Sequence, residues 1–390
     1  MKYVARRQER HLARLLKAFP AVLVLGPRQC GKSTLVRRCL PDWLHVDLER
    51  PADLALLEAD LEGFLTAHPR QLVIDEAQRL PALFPALRHA IDQGSGKGRF
   101  VLLGSASPQL VRAVSETLAG RVGLLELTPL TNSELAATRY DRDRWFWGGF
   151  PPVHGLRGHA LRGAWLDSYV ATFLERDLPA LGLGLPAPRL RKLWAMLTHV
   201  HGNLLNVSDL ARSLSVTSRT VDGYLDVLEA TFMARRLPPF FANVQKRLTK
   251  APKVYLRDSG LLHFLAGLRA PLDLETWPRR GASFEGLVIE EIAALAGERL
   301  VRPQLFFWRT SAGAEVDLLL VDGRRILPIE IKLGAAVDHY ALAGLRSCMK
   351  DLGLKRGWVV CTAPQPVAAG RGIEIVPWRD LVEGKVDFAL

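Results

Sequence analysis

Short apolar runs alternate with amphipathic stretches from the start of the chain to Leu127. The amphipathic stretches carry leucines and valines at helical spacing, with arginines on the opposite side, as in Thr34–Leu40. Buried strands that alternate with helices predict a parallel sheet covered on both faces. The predicted strands are Val22–Leu25, Trp43–Asp47, Gln71–Asp75, Phe100–Leu103 and Val122–Leu127, with helices over Leu54–Phe64 and Ala82–Ile91 between them.

The middle of the chain, Ala164–Phe241, has helical periodicity throughout. Within it, Val207–Leu214 and Thr217–Leu228 predict two helices joined by a tight turn, with Ser208 and Thr217 as N-caps. The second helix opens with the small polar and basic residues that recognition helices present to DNA, namely Ser218, Arg219 and Thr220. A strand over Thr231–Leu237 completes a winged-helix pattern. Such folds also serve as spacers and docking modules, so contact with DNA stays open.

The last third of the chain returns to strands. Phe284–Leu295 is predicted as a helix, and Gln304–Arg309 as a strand. Two further strands, Glu315–Val321 and Ile326–Lys332, are joined by the hairpin signal Asp322-Gly323. A helix over Tyr340–Leu352 and strands over Gly357–Cys361 and Ile373–Val376 complete a small α/β layer.

The window Gly26–Ser33 fits G-x-x-x-x-G-K-[ST], the P-loop pattern, between a predicted strand and a predicted helix. The glycines let successive backbone N–H groups point at phosphate oxygens, and the first turn of the helix adds its own free N–H groups. Lys32 is expected to neutralise the β- and γ-phosphates, and Ser33 to supply a hydroxyl to Mg²⁺. The predicted ATP-binding residues are Gly26, Pro27, Arg28, Gln29, Cys30, Gly31, Lys32, Ser33 and Thr34.

The strand Gln71–Asp75 ends in a second acid, Glu76, which is the Walker B arrangement. Asp75 is expected to hold Mg²⁺, and Glu76 to activate the attacking water. At the tip of the next strand, Ser105 is the candidate sensor of the γ-phosphate. Arg121 has two open interpretations, a phosphate-sensing or inter-subunit arginine and a structural ion pair.

The 390 residues carry a formal net charge of +12, which is compatible with a polyanionic partner. The segment Arg235–Arg257 contains seven cations and no acid, with aromatics interleaved. Such a run suits the phosphate backbone of nucleic acid, while a solvated surface is the alternative. The four cysteines show no metal spacing, which suits a reducing cytoplasm, and Cys30 is expected to be a small neutral loop residue. No apolar run is long enough for a membrane span.

Several segments together resemble a family of prokaryotic AAA-domain ATP-binding proteins. They are GPRQCGKST, LVIDEAQ, GSAS, SETLAGRVGLLELTPLTNSEL, GGFP, YLRDSGLL and ASFEGLVIEE. The resemblance covers nearly the whole chain. It implies a C-terminal domain of unknown function related to restriction-endonuclease folds.

Acidic residues and a lysine on the two paired strands resemble a PD-(D/E)xK nuclease site. Asp317 lies on the first strand, and Glu330 and Lys332 share one face of the second. In such a site Asp317 and Glu330 ligate Mg²⁺, and Lys332 assists the attacking water. Glu285 would complete the metal ligands, and Glu315 is a weaker candidate.

The sequence therefore predicts an α/β fold in three parts: an AAA-type P-loop ATPase with a parallel sheet (1–145), a helical winged-helix domain (146–270) and a PD-(D/E)xK-like domain (271–390). The expected cofactors are ATP and Mg²⁺, in a cytoplasmic protein with no membrane partner. Two functions remain open. In one, ATP drives a nucleic-acid transaction, with DNA favoured and cleavage included. In the other, ATP switches a homo-oligomer or a protein partner, and the nuclease-like domain is inactive.

Overall fold

The structure is a computed structural model that describes residues 3–105, 110, 114, 116–136, 138, 143–180, 187–241, 251–335, 339–370 and 372–388. The chain divides into two compact units. The first unit comprises Met1–Leu130, Phe150–Pro152 and Ala230–Phe232, and the second unit comprises Thr131–Gly149, Val153–Glu229 and Met233–Leu390. The predicted boundary near residue 270 lies inside the second unit and stays a prediction. None of the described helices is both long and apolar enough to cross a membrane.

The first unit is built on a five-stranded sheet in the order β2-β3-β4-β1-β5. Every neighbouring pair runs parallel, which confirms the predicted parallel sheet. The strands are β1 (Ala21–Gly26), β2 (Leu44–Asp47), β3 (Leu72–Asp75), β4 (Phe100–Ser105) and β5 (Val122–Glu126). The helices are α1 (Gln8–Ala18), α2 (Lys32–Cys39), α3 (Pro51–Ala59), α4 (Leu61–Ala67) and α5 (Leu83–Gln93).

The strand order brings the predicted chemistry of the first unit to one edge of the sheet. Gly26 at the end of β1 pairs with Ser105 at the end of β4, and Asp47 pairs with Asp75 at the end of β3. The loops that follow the carboxyl ends of parallel strands therefore lie together, as ligand sites of open α/β sheets do.

Arg121 lies at the opposite edge of this sheet. It directly precedes β5, whose first residue, Val122, pairs with Ala21 at the amino end of β1. Its guanidinium makes a two-pronged ion pair with Asp92, at 2.6 Å and 3.0 Å. Of the two interpretations, the structure has the ion pair, and Arg121 does not face the P-loop of its own unit.

The second unit begins with helices. They are α6 (Asn132–Leu135), α7 (Arg144–Trp147), α8 (Pro151–Gly155), α9 (His159–Thr172), a π-helical turn (Phe173–Asp177), α10 (Leu178–Ala180), α11 (Ala187–Val200), α12 (Val207–Leu214) and α13 (Ser218–Ala230). A two-stranded antiparallel sheet follows, made of β6 (Ala234–Leu237) and β7 (Lys253–Leu256). Sequence periodicity did not predict β7. All four of its residues are buried, so the strand lacks the alternation of buried and exposed positions that marks a half-buried strand.

The end of the second unit contains a six-stranded mixed sheet in the order β12-β13-β11-β10-β9-β8. Its strands are β8 (Gln304–Arg309), β9 (Glu315–Asp322), β10 (Arg325–Lys332), β11 (Gly357–Cys361), β12 (Val367–Ala368) and β13 (Ile373–Pro377). The helices of this region are α14 (Ser259–Leu265), α15 (Pro271–Thr276), α16 (Arg280–Arg299), α17 (His339–Leu352) and α18 (Trp378–Val382). The predicted hairpin is present, since β9 and β10 are antiparallel neighbours.

Local hydrogen bonds moved some predicted boundaries. The helix predicted over Leu54–Phe64 is interrupted at Asp60, whose carboxylate accepts from the N–H of Gly63 and caps a new helix. The cap of α12 is Asn206, not Ser208, because the Asn206 side chain accepts from Asp209 N. Thr217 does accept from Thr220 N, at 3.2 Å, as predicted for the start of α13.

Two motifs of the family pattern are joined inside the second unit by one aspartate. Asp258, in the YLRDSGLL segment, caps α14 by accepting from Leu261 N at 3.0 Å. Its other oxygen accepts from Gly149 N, in the GGFP segment, at 2.7 Å. A Cβ on Gly148, whose φ is +77°, would lie 2.1 Å from the Asp258 carboxylate. The two motifs therefore form a tight structural joint.

Candidate functional site

The P-loop of the first unit lies between β1 and α2 and has a strained, glycine-dependent backbone. Gly31 has a φ of +102°, a conformation that residues with a Cβ rarely adopt. A Cβ on Gly26 would lie 2.2 Å from Leu127 O, so no side chain fits there. The two glycines of the pattern are thus required by the backbone path and by the packing of the loop against the strand end.

Lys32 is buried at the start of α2 and bonds only weakly within its loop. Its ammonium donates to Gly26 O at 3.0 Å and to Pro27 O at 3.1 Å. Both partners are neutral carbonyl oxygens of the P-loop itself. Phosphate oxygens in their place would add the opposite charge that neutral carbonyl oxygens lack.

The predicted Mg²⁺ residues of the first unit meet across the sheet edge. The Ser33 hydroxyl donates to Asp75 Oδ2 at 2.5 Å, although 42 positions separate the two residues in the chain. The second oxygen of Asp75 accepts from Glu76 N at 3.0 Å. A hydroxyl and a carboxylate side by side are oxygen ligands of the kind that Mg²⁺ prefers, so these two residues fit the ion.

Glu76, the predicted general base, follows β3 in an unusual backbone conformation. It has a φ of +53°, a left-handed conformation that is uncommon for glutamate. The amide of Gln78 donates to its carboxylate. Burial raises the pKa of Glu76 above its ordinary value, against the lowering effect of Lys32. Ser105, the candidate sensor, has its backbone beside Gly26, and its side chain lies outside the described residues.

Sequence reasoning missed Arg6, whose side chain binds the backbone of the P-loop. Its buried guanidinium donates to Cys30 O at 2.9 Å and to Thr128 O at 2.6 Å. Arg6 precedes α1 by two positions, and no pattern in the sequence indicated this contact. Beside it lies a cavity of about 140 Å³, lined by Tyr3, Val4, Arg6, Gly31, Thr34 and Leu130 together with Pro151.

Cys30, expected to be a small neutral residue, lies inside the P-loop. It is fully buried, and burial raises the pKa of its thiol above the ordinary value in spite of the nearby Lys32 and Arg6. The reactive form of cysteine is the thiolate, so a raised pKa leaves this thiol unreactive.

The acids predicted as a metal site lie around Lys253 in the second unit. The Lys253 ammonium is 2.5 Å from Glu315 Oε1, 3.2 Å from Glu285 Oε1 and 3.5 Å from Asp317 Oδ1. Only 3% of its side chain is exposed. Burial lowers the pKa of Lys253, but the three carboxylates outweigh burial and the net shift is upward.

The Glu-x-Lys pair of β10 is adjacent to this cluster. Lys332 Nζ lies 2.8 Å from Glu330 Oε1, as expected for side chains on one face of a strand. Burial and then the charge of Asp317 raise the pKa of Glu330 to about 8 and that of Glu285 to about 7. Among the described residues, no group of three or more His, Cys, Asp and Glu side chains is arranged to hold a metal ion. The structure gathers the predicted residues, but with ammonium groups between them, and they do not fit a metal ion in this arrangement.

The basic segment Arg235–Arg257 is largely neutralised by acids from elsewhere in the chain. Arg235 and Arg257 both bind Glu290, at 2.5 Å and 2.8 Å. Arg236 binds Asp226 and Glu229, and Lys253 lies in the acidic cluster. The other predicted cations, Lys246, Arg247 and Lys250, lie outside the described residues. The aromatic residues are also engaged in part, since Tyr255 is buried and Phe240 packs on Phe306, whereas Phe241 is exposed.

Three family models match the chain. An "AAA domain" matches residues 18–136, a "Domain of unknown function (DUF8612)" residues 138–272 and a "Domain of unknown function (DUF4143)" residues 280–381. Two curated relatives, "Uncharacterized protein Rv2008c" of Mycobacterium tuberculosis and "Uncharacterized protein Mb2031c" of Mycobacterium bovis, are each 44% identical over 388 residues, which is 97% of this chain and 85% of each relative. The chain belongs to their family. In this chain of an AAA-type ATPase family, the AAA domain is followed by two regions that match domains of unknown function.

Solved structures resemble the chain more distantly. The "Walker-type ATPase paby2304" of Pyrococcus abyssi is 15% identical, with a TM-score of 0.48, over 67% of this chain and 96% of that one. The RuvB Holliday junction branch migration motor of Thermotoga maritima is 21% identical, with a TM-score of 0.31, over 60% of this chain and 90% of that one.

Proposed function

We propose that this protein binds ATP with Mg²⁺ and hydrolyses it by attack of water on the γ-phosphate. The observation that carries the proposal is the contact between Ser33 and Asp75, which brings the Walker A and Walker B segments together beside Lys32. Two sequence patterns that match separately could each be accidental. Their meeting at the carboxyl edge of a parallel sheet is the arrangement that P-loop hydrolysis requires.

The residues of the loop have separate roles in this proposal. Backbone N–H groups of the loop from Gly26 to Thr34, apart from Pro27, which has none, cradle the phosphates, and Lys32 exchanges its carbonyl partners for phosphate oxygens. Ser33 and Asp75 hold Mg²⁺, which when bound neutralises charge on the β- and γ-phosphates. Glu76 orients the water and accepts its proton, and its raised pKa makes it a stronger base.

The base of the nucleotide is assigned to the cavity beside Arg6. The cavity reaches Gly31 and Thr34, where the phosphate loop passes into α2. Its other walls include the apolar side chains of Val4 and Leu130 and the ring of Tyr3. A mostly apolar slot next to a phosphate site suits a flat heterocycle.

ATP turnover in Mg²⁺ and equilibrium binding of a fluorescent ATP analogue test this proposal together. We expect saturable turnover and binding in the wild type, and loss of binding in Val4→Trp, which fills the base cavity. Leu44→Trp, at an exposed position of β2, is the matched control and should bind normally. A wild type that neither binds nor hydrolyses ATP would contradict the proposal.

We propose secondly that ATP hydrolysis is coupled to a nucleic-acid partner, with DNA favoured, through a winged-helix arrangement of α12, α13 and the β6–β7 hairpin. The support is the exposed amino end of α13, where Ser218 and Arg219 are free to approach a groove. Neutralisation of the basic segment weakens the electrostatic case. The alternative is an ATP-dependent switch of a homo-oligomer or a protein partner.

DNA-stimulated ATP turnover separates these alternatives. Stimulation by duplex DNA should fall in Arg219→Ala and persist in Arg212→Ala, an exposed arginine on the neighbouring helix α12 that already pairs with Asp209. Equal turnover with and without DNA or RNA would favour the switch. Cleavage of DNA by Asp317, Glu330 and Lys332 is supported by their proximity and opposed by the position of Lys253.

A further inference from the structure

We infer that the acidic cluster of the second unit is an internal ion-pair centre in which the Lys253 ammonium occupies the place that a divalent metal ion would take. The cluster is defined as Glu285, Glu315, Asp317 and Lys253. On this inference the C-terminal sheet carries no metal-dependent nuclease centre, and the inference is independent of ATP binding by the first unit.

The geometry of the ammonium matches its surroundings. Lysine offers three N–H donors, and three carboxylate oxygens from three residues lie within 3.5 Å of Lys253 Nζ. The carboxylates come from α16 and from both ends of the segment Glu315–Asp317 on β9. One cation therefore compensates acids that would otherwise need a metal ion or protonation to be buried together.

Each carboxylate also has a second donor from the protein. The Tyr255 hydroxyl donates to Glu285. Arg309 NH1 lies 2.9 Å from Glu315 Oε2, and Ile331 N donates to Asp317 Oδ2 at 2.9 Å. A metal ion would have to displace Lys253 and then compete with these donors for the remaining lone pairs.

The backbone of Lys253 is fixed by sheet pairing, and its ammonium has a further contact. Lys253 pairs with Leu237 in the β6–β7 sheet and forms a further bridge with Leu204. The ammonium also lies 5.7 Å from the centre of the Phe307 ring, in cation–π range. With 3% of the side chain exposed, the ammonium is shielded from solvent.

Binding of Mn²⁺ to nucleotide-free protein, followed by electron paramagnetic resonance, tests the inference. Every variant also carries Asp75→Asn, so that the first unit contributes no bound ion. With Lys253 intact, we expect no Mn²⁺ that depends on Asp317. Lys253→Met should gain one bound ion per chain, and adding Asp317→Asn should remove it. Lys253→Arg, which keeps a cation in place, is the matched control and should bind none.

Two results would overturn the inference. The first is a Mn²⁺ ion bound while Lys253 is present and lost on Asp317→Asn alone. The second is a folded Lys253→Met variant that binds no Mn²⁺, because Lys253 would then not be what excludes the ion. If Lys253→Met folds poorly, its recovery decides the matter: Mn²⁺ should restore folding in Lys253→Met and not in Lys253→Met with Asp317→Asn.

Discussion

The two units each contain a buried lysine beside carboxylates, and the two lysines differ in what they bind. Lys32 donates to two neutral carbonyl oxygens, while Asp75 bonds to Ser33 instead. Lys253 is bound by three carboxylates, and its exposed fraction is 3%. Lys32 is therefore ready for an anionic ligand, whereas the charge of Lys253 is already satisfied by the protein.

This difference shows that a lysine near acids has two opposite uses. A lysine that is bound only to neutral oxygens of its own loop can exchange them for phosphate oxygens while the fold stays intact. A cation that neutralises several buried acids belongs to the stability of the fold, since its removal leaves uncompensated charge inside the protein. The two uses predict opposite outcomes when each lysine is removed.

Removal of the Lys253 charge should have the largest effect on stability. Lys253→Met leaves Glu285, Glu315 and Asp317 without their common cation, and we expect the free energy of unfolding to fall by about 3–5 kcal/mol. Tryptophan fluorescence in urea measures it, because eight of the nine tryptophans, all except Trp43, lie in the second unit.

The control for this prediction is Lys350→Met, at an exposed position of α17, which should shift the unfolding free energy by less than about 0.5 kcal/mol. An unchanged unfolding midpoint in Lys253→Met would mean that Lys253 does not stabilise the fold by neutralising buried acids, and the contrast with Lys32 would be lost.

Removal of the Lys32 charge should strongly reduce ATP turnover and only slightly reduce stability. Lys32→Ala should lower ATP turnover about 10³-fold, because a charged group aimed at the phosphates is lost, and should cost only about 1–2 kcal/mol of stability with its two carbonyl bonds. Turnover assays and urea unfolding on one preparation check both parts. Lys17→Ala, exposed on α1, should leave both unchanged, and normal turnover in Lys32→Ala would remove the P-loop assignment.

Glu76→Gln should separate binding from chemistry at the first site. The amide keeps the size of the side chain but accepts no proton, so we expect retained ATP and hydrolysis slowed about 10²-fold. Single-turnover hydrolysis with a filter-binding assay measures the two quantities. Glu58→Gln, exposed on α3, should behave as wild type, and unchanged hydrolysis in Glu76→Gln would take that residue out of the catalytic set.

Mild acid should weaken the second unit gradually, through histidines that are buried in the neutral form. Burial lowers the pKa of His201 to about 3 and the pKa values of His154 and His263 to about 4. Between pH 6.5 and these values the unfolded chain binds protons that the folded chain does not. The histidine contribution to stability is therefore complete above about pH 6.5 and is lost as pH falls below it, by roughly 1.4 kcal/mol per pH unit for each histidine. Glu285 and Glu330, whose pKa values burial raises to about 7 and about 8, contribute in the opposite direction over the same range.

His201→Asn should reduce that slope by the share of one histidine, measured as urea unfolding by tryptophan fluorescence between pH 7 and 5. His199→Asn, exposed on the same segment, should keep the wild-type slope. A slope in His201→Asn equal to that of the wild type would contradict the assignment of a neutral buried His201.

The nucleotide site could be predicted from sequence because its determinants are local. Gly26, Gly31 and Lys32 act through the path of one loop, and the position of Asp75 follows from the rule that parallel strands share a carboxyl edge. By the same rule, a residue that precedes a parallel strand lies at the amino edge of the sheet, and this would have placed Arg121 away from the P-loop. Only Arg6 needed the tertiary structure, since its contact with Cys30 spans 24 positions.

The acidic cluster could be predicted only in part because its cation comes from a distant segment. The pairing of β9 with β10 was readable from the hairpin signal, so Asp317, Glu330 and Lys332 were placed together. Lys253 stands 32 positions before Glu285 in a run of cations that resembles a solvated surface. The distribution of charge along a sequence does not show which cations will pair with acids in the interior. In the segment Arg235–Arg257, most of the described cations form such pairs.

Helix α16 contains four glutamates, and three of them have partners in three different directions. Glu285 binds Lys253, Glu290 binds Arg235 and Arg257, and Glu291 accepts from the N–H groups of Asn132 and Ser133. At about 100° per residue these side chains divide the circumference of the helix into arcs of about 140°, 100° and 120°. Because these attachments lie on different sides of α16, a rotation of the helix about its axis or a shift along it would break at least one of these ion pairs or hydrogen bonds. The helix is therefore fixed in its orientation within the second unit.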